Sequence, residues 1–278
     1  MKSSDIISIS AKLKNYNENL LQKTGRNLLG IACYSCNVED AAIVGLMKSF
    51  SFHVVPITAG QGIISDFSKT VCAVLRFLGC KAEVTTQNDA AGIAEAFEQR
   101  SDAIFMADDR KFIGLNLRTR SVIDNTEATG AIFGAALDLM TGGLKGHDVL
   151  VLGCGPVGEA VASKLLSFGA RVILHDINMR TAQKIKTKLS VMGNISVVKT
   201  IYGPGKVCQF IVDATPEKNA IMNNMLSENT YIAAPGVPLG VSEKSYTLLG
   251  NRIIHDKLEL GVSAMAVSLL NQNNFNYS

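Results

Sequence analysis

A surplus of charge of either sign is what this sequence most plainly lacks. Its 27 basic and 24 acidic side chains nearly cancel, so no broad field exists to hold a polyanion, and no nucleic-acid partner is expected. Charged residues are sparse altogether, 18% of 278 against 47% apolar, which excludes a disordered tail protein. There is no tryptophan. Long apolar runs are missing as well. The longest charge-free stretch, Leu260 to Ser278, has the length of a membrane span, about 20 residues, but its second half carries Asn271-Gln272-Asn273-Asn274. No membrane association is expected. The opening MKSSDIISIS has neither the basic start nor the small-residue cleavage site of a secretory signal, and a cytoplasmic location is the expectation.

Paired cysteines are also wanting. Cys33, Cys36, Cys72, Cys80, Cys154 and Cys208 are scattered, mostly inside apolar segments such as VCAVLRFLGC and KVCQFIVDA, where a thiol behaves as a small hydrophobe. Reduced thiols follow. Cys33 and Cys36 form a lone C-x-x-C, yet no second pair stands at finger spacing and neither His53 nor His147 completes a set, so no metal site is expected. There is no internal repeat and no low-complexity linker.

What is present is an alternation of strand and helix patterns, the mark of parallel sheets covered by helices. The length suits one or two packed domains. Apolar spacing predicts a first helix over Asp5 to Leu21 and a second over Asp40 to Phe50. Strand FHVVPIT, a glycine loop from Ala59, a helix to Leu78, strand KAEVTT, a helix capped by Asn88 and strand DAIFMA follow. This is a small β-α-β-α-β domain, assigned to residues 1–128. A connecting helix over Thr126 to Thr141 leads to residues 129–278, where DVLVLGCG, ARVILHD, ISVVK, QFIVDAT, NTYIAA and Asn251 to His255 read as strands. The fold expected is α/β: a C-terminal Rossmann doubly wound parallel sheet, with Leu258 to Leu270 as its closing helix, and a smaller N-terminal α/β domain.

The strongest motif is Gly153-Cys154-Gly155-Pro156-Val157-Gly158, placed after an apolar strand and at the head of a helix. Gly153 permits the tight turn, Gly155 lets backbone approach a pyrophosphate, and Gly158 allows helix to pack closely on strand. The helix start offers free amide donors and partial positive charge to the phosphates, and Pro156 suits an early helical position. Asp176 stands 18 residues beyond Gly158 at the end of the next strand, where a carboxylate accepts the adenosine ribose hydroxyls and repels a 2′-phosphate. NAD is therefore the expected cofactor, with Arg180 as the residue that would favour NADP. Later strand ends complete the cofactor crevice: Ala214, Thr215 and Pro216 after QFIVD, and Pro235, Gly236 and Val237 after NTYIAA. Asp213 reads as an acid bonding nearby amides.

Two loops of the first domain are candidates for substrate. Thr58, Ala59, Gly60, Gln61, Gly62, Ile63 and Ile64 bring bare amides to a helix start, suited to a carboxylate. Met106, Ala107, Asp108 and Asp109 crown an apolar strand with two acids. Either the pair receives a cationic substrate, or Asp109 pairs with Arg110 or Lys111 while Asp108 caps a turn.

In order, VPITAGQGIISDFS (55–68), MADD (106–109), GLNL (114–117), the glycine fingerprint, DATP (213–216) and APGVP (234–238) resemble the pyrrolysine synthase family over roughly residues 4 to 270. The family carries Ser at the start of the glycine loop, where this chain has Ala59; Thr58 or Gln61 are the replacements to hand. The resemblance implies an NAD-dependent dehydrogenase acting on an isopeptide, 3-methyl-D-ornithyl-N6-L-lysine. Its terminal amine is oxidised to an imine, ammonia is lost on hydrolysis, and the ornithine α-amine closes the pyrroline ring. It further implies that Asp108 binds and orients an ammonium, with proton acceptance through water second. It implies as well that the first helix, Ile6 included, is mobile and closes over substrate. The state of assembly stays open, a homodimer among the choices. One competitor is a dehydrogenase of the shikimate or methylene-tetrahydrofolate type, since Asn125-Thr126-Glu127-Ala128-Thr129-Gly130 resembles the N-T-D-x-x-G run of the former, although no Lys stands in the glycine loop. The other is a non-catalytic NAD sensor.

Overall fold

The computed structural model describes residues 3–59, 66–201 and 208–272, with side chains from residue 12 onward. The chain divides into two compact units, one of residues 1–19, 27–128 and 258–278, the other of residues 20–26 and 129–257. Helix α1 (Ser3–Thr24) supplies residues to both.

The first unit continues with α2 (Leu28–Ser35), α3 (Asp40–Met47), β1 (Ser51–Val55), α4 (Phe67–Phe77), β2 (Lys81–Val84), α5 (Asp89–Glu98), β3 (Ala103–Ala107), β4 (Phe112–Asn116) and β5 (Ser121–Asp124). The sheet order is β2-β1-β3-β4-β5; the first three strands are parallel and the last two antiparallel. The expected β-α-β-α-β domain is thus extended by a hairpin and a further strand. Strand β1 is buried on both faces, as a central parallel strand must be. Phe50, Phe52 and Phe105 stack with ring centroids 4.9 and 5.7 Å apart across the core.

Helix α6 (Asn125–Thr141) leads into the second unit: β6 (Asp148–Leu152), α7 (Pro156–Ser167), β7 (Arg171–His175), α8 (Met179–Leu189), β8 (Ile195–Val197), β9 (Phe210–Asp213), β10 (Tyr231–Ala234), α9 (Glu243–Leu249) and β11 (Ile253–His255). All six strands are parallel in the order β11-β10-β9-β6-β7-β8. The direction of winding reverses between β6 and β9, and ligands of such sheets lie at the carboxyl ends of the strands flanking that point. The last turn of α1 is built into this unit: Leu20 is buried and the Lys23 ammonium donates to the Ile253 carbonyl at 2.7 Å.

The last helix, α10 (Glu259–Asn271), belongs to the first unit. This corrects the expectation that it closes the Rossmann half. It is apolar around its whole circumference and buried from Leu260 to Val267, so it needs cover on every side; α2, α3, α4, β4 and β5 provide it. Buried Asn116 ties the packing together by donating Nδ2–H to the Leu269 carbonyl at 2.9 Å while its Oδ1 accepts the amides of Arg118 and Thr119. The Cys36 thiol lies 3.2 Å from the Ser268 hydroxyl, so half of the C-x-x-C serves the α2–α10 contact. Among the described residues, no single helix is long and apolar enough to cross a membrane.

Asn116→Ala strips three hydrogen bonds from a buried site and should cost about 2 kcal/mol of stability. Thermal denaturation checks this: a Tm lower by several degrees is expected, and an unchanged Tm contradicts the anchoring role.

Candidate active site

Strand β6 ends in the turn that the glycine fingerprint predicts. Gly153 has φ +84, and a Cβ there would stand 2.9 Å from the Ala214 carbonyl oxygen. Gly158 is tighter, since its Cβ would come within 2.0 Å of the Gly153 carbonyl. These two glycines are demanded by packing alone. Gly155 is different. Its backbone is extended (φ −71, ψ −176), which any residue adopts, and an added Cβ would meet nothing within 4 Å. The fold therefore has no use for glycine at 155, whereas a group approaching the backbone does. Pro156 opens α7, and Gly155, lacking a side chain, leaves the first amides of the helix uncapped. Uncapped amides at a helix start suit an anion, and an open cradle beside them suits a pyrophosphate. The residues present fit a dinucleotide.

Asp176 ends β7 beside this turn. Its Oδ2 accepts the Cys154 amide at 2.7 Å and its Oδ1 the Asn178 amide at 2.7 Å. Each carboxylate oxygen keeps a second lone pair, so the same carboxylate can fix the turn and receive hydroxyls. Cys154 is buried, and burial, then Asp176, pushes its thiol up to about 12. It stays protonated. Beyond the switch point, the ends of β9 and β10 are stitched together: the Gly236 amide donates to the Asp213 carbonyl and the Ala214 amide to the Leu152 carbonyl, both at 2.9 Å. Thr215 donates its hydroxyl to Asp213 Oδ1 at 2.7 Å. Pro216 and Val237 are exposed and Pro235 half-buried. Gly153, Gly155, Pro156, Val157, Gly158, Asp176 and Ala214 to Pro216 thus gather at one end of one sheet with Pro235 to Val237.

The first unit gathers its candidates in the same way. Register places the carboxyl ends of β1, β2 and β3, the β3–β4 turn and Asp124 at one end of its sheet. Thr58 and Ala59 follow β1 and are exposed, and Met106 lies at the end of β3. Gly60, Gln61, Gly62, Ile63 and Ile64 lie outside the described residues, as does the side chain of Ile6. Thr58 donates its amide, at 2.8 Å, and its hydroxyl to the Asp89 carboxylate. Those bonds hold Asp89 below the usual carboxylate range. They also employ the hydroxyl offered as a replacement for the family's Ser.

Asp108 does cap its turn, accepting the amides of Arg110 and Lys111 on Oδ1, both at 2.7 Å. These amides hold its carboxyl below the ordinary range. The group is fully ionised at neutral pH, and Oδ2 takes no partner among the described residues. Lys111 pairs not with Asp109 but with Asp124, at 2.7 Å. That bond raises the Lys111 pKa. Burial opposes ionisation of Asp124, but its bonds from Lys111 and Thr126 prevail and lower its pKa. Asp89, Asp124 and Lys111 are the residues that sequence reasoning missed as builders of this sheet end; only the register of β4 and β5 brings Asp124 to the turn.

A parallel sheet in Rossmann order with a glycine turn at its switch point, in a chain that also forms a second α/β unit, defines a two-unit dehydrogenase fold. Quinate dehydrogenase from Corynebacterium glutamicum in complex with NAD shares it, with a TM-score of 0.54, 15% identity, and 80% of this chain and 94% of that one covered. Shikimate dehydrogenase from Aquifex aeolicus shares it as well, with TM-score 0.53, 15% identity and coverage of 81% and 98%. Sequence comparison is more specific. Residues 5–123 match the family model described as pyrrolysine biosynthesis protein PylD, N-terminal domain. Pyrrolysine synthase of Methanosarcina barkeri is 30% identical over 271 residues, 96% of each chain. That of Methanosarcina acetivorans is 31% identical over 220 residues, 78% of this chain and 81% of the relative. The chain belongs to the pyrrolysine synthase family.

If glycine at 155 exists for a ligand, Gly155→Val should stay within about 1 kcal/mol of wild-type stability yet lose dinucleotide affinity about tenfold or more. Gly158→Ala should instead destabilise the fold by about 1–3 kcal/mol. Calorimetric titration and denaturation of the two variants check this; undiminished affinity in Gly155→Val contradicts the cradle.

Proposed function

We propose that the chain uses NAD to oxidise the terminal amine of 3-methyl-D-ornithyl-N6-L-lysine, releasing ammonia and yielding pyrrolysine. Membership of the pyrrolysine synthase family supports the substrate. The observation that carries the reading is Asp108: a carboxylate kept ionised by turn amides on Oδ1, with an Oδ2 that takes no partner among the described residues, at a sheet end that also bears Asp89, Asp109, Asp124 and Glu127. Such an end suits a substrate with ammonium groups.

The dinucleotide, when bound, supplies the hydride acceptor. The backbone amide N–H groups of Val157 and Gly158 at the start of α7 would hold its pyrophosphate, and Asp176 its ribose hydroxyls. The chain's own task is to manage a proton and a position. An ammonium must become a neutral amine before its carbon can give up hydride, and at about pH 7.5 this costs about 4 kcal/mol from a reference pKa near 10.4. Asp108 stabilises the charged amine, and its lowered pKa makes it a weak base. It therefore binds and orients, and the proton leaves through water. Lys111 is equally unsuited to accept that proton, because Asp124 keeps it charged. Positioning then contributes much of the rate. Once the imine has formed, water adds and ammonia leaves; the α-amine condenses with the aldehyde, expelling water.

Asp108→Asn keeps the carbonyl oxygen that accepts the turn amides and removes only the charge. Steady-state assays with NAD and the isopeptide, following NADH absorbance and product mass, should show KM for the isopeptide raised about tenfold, with NAD affinity within twofold. No NADH from the isopeptide with wild-type protein contradicts the function; unchanged kinetics in the variant contradicts the role of Asp108. For the cofactor, Asp176→Ala should narrow the preference for NAD over NADP by about tenfold, and a wild-type protein that prefers NADP contradicts the ribose assignment.

A further inference from the structure

A lysine of the β3–β4 turn stands three residues from Asp108, and its backbone is knit to that residue. The Asp108 amide donates to the Lys111 carbonyl at 2.9 Å, and the Lys111 amide donates back to Asp108 Oδ1 at 2.7 Å. Asp108 Oδ2 takes no partner among the described residues. A spacing of three is bridged elsewhere in this unit, where the Lys69 ammonium reaches Asp66 at 3.2 Å. Lys111 carries its charge on a flexible four-carbon stem, and with its side chain 67% exposed, burial does not confine it. Its ammonium nevertheless goes elsewhere.

Strand register sets Ile113 opposite Asp124, and from two residues earlier Lys111 Nζ donates to Asp124 Oδ2 at 2.7 Å. Asp124 is well fixed for this contact: its side chain is 22% exposed, and its Oδ1 accepts the Thr126 amide at 2.8 Å where α6 begins. An ion pair with one partner already held costs less side-chain entropy than one between two free side chains. Glu127 adds negative charge that favours the same ammonium. The other cation of the turn, Arg110, acts on Asp108 through its charge but forms no ion pair with it among the described residues. The hairpin itself has a separate anchor. The ring of Phe112 lies 5.2 Å from that of Phe67 and 5.9 Å from that of Phe105, so its base is held by apolar packing.

We propose that Asp124 is a positioning residue: it draws the Lys111 ammonium away from Asp108 and so keeps Asp108 Oδ2 open for an ammonium group of the substrate. This rests on the reading that Asp108 binds the isopeptide. Without Asp124 the chain's own lysine becomes a competitor tethered three residues from the carboxylate, and so short a tether gives it a high effective concentration. The competition exchanges one ammonium for another at the same oxygen. It lowers affinity for the substrate and leaves the complex, once formed, as it was, so KM rises while kcat stays.

The experiment is steady-state kinetics of the full chain with saturating NAD and varied isopeptide, for wild type, Asp124→Asn, Lys111→Met and the double variant. Asp124→Asn keeps the oxygen that accepts the Thr126 amide and removes the charge. It should raise KM about fivefold, the worth of an exposed ion pair, with kcat and NAD affinity within about twofold. Lys111→Met, which preserves the backbone bonds to Asp108, should not raise KM. The double variant should return KM to within about twofold of wild type, because the competitor is gone. An unchanged KM in Asp124→Asn overturns the proposal. So does a KM raised as far in Lys111→Met as in Asp124→Asn, since the pair would then merely tie the hairpin. A double variant as weak as Asp124→Asn overturns it too, by making Asp124 a direct contact for substrate. A wild-type chain that forms no NADH from the isopeptide overturns the function proposed above, and this inference with it.

Discussion

The contact between Gly158 and the carbonyl of Gly153 is the constraint on which the cofactor half of this protein depends. With no side chain at 158, α7 begins against the end of β6, and the turn between them becomes a junction. The Gly153 amide donates to the His175 carbonyl at 2.9 Å, Cys154 donates to Asp176 at 2.7 Å, and Ala214 donates to Leu152 at 2.9 Å. Three strand ends are thereby fixed around one loop. The junction leaves the helix amides uncapped next to a Gly155 whose Cβ position is open, and it seats Asp176 and Asp213 on opposite flanks. A phosphate cradle, a hydroxyl acceptor and a buried carboxyl all follow from a space too small for one methyl group.

The two sheets handle carboxylates in opposite ways, and chemistry explains the contrast. At the first unit's sheet end, acids are exposed or half-exposed and are held ionised by amides and by Lys111. Such groups attract and orient cations without taking their protons. At the second unit's sheet end, Asp213 is buried and its proton is held more tightly than usual.

How far the sequence was legible depended on whether the signal was local. The glycine fingerprint, its strand and its helix stood in a dozen consecutive residues, and β6 to β10 could be read from apolar runs bounded by turns. Helix α2 escaped because LLGIACYS is apolar all round and has no polar face to mark a period. Strands β4 and β5 escaped because they are short and flanked by Arg118 and Arg120. The partner of α10 could not be read at all, since periodicity reports that a helix is buried and not where. At the site, the cap made by Asp108 is shown by the turn amides, the pairing of Lys111 with Asp124 by strand register, and the burial of Asp213 by packing. None of these is encoded in spacing along the chain.

The central claim is that the Gly153 turn and the start of α7 are a phosphate cradle. Backbone hydrogen exchange of residues 153 to 160, followed with and without NAD, tests it most directly. The account predicts that exchange of the Gly155, Val157 and Gly158 amides slows sharply on binding. Saturating NAD that leaves these amides unprotected, while protecting others elsewhere, would contradict it.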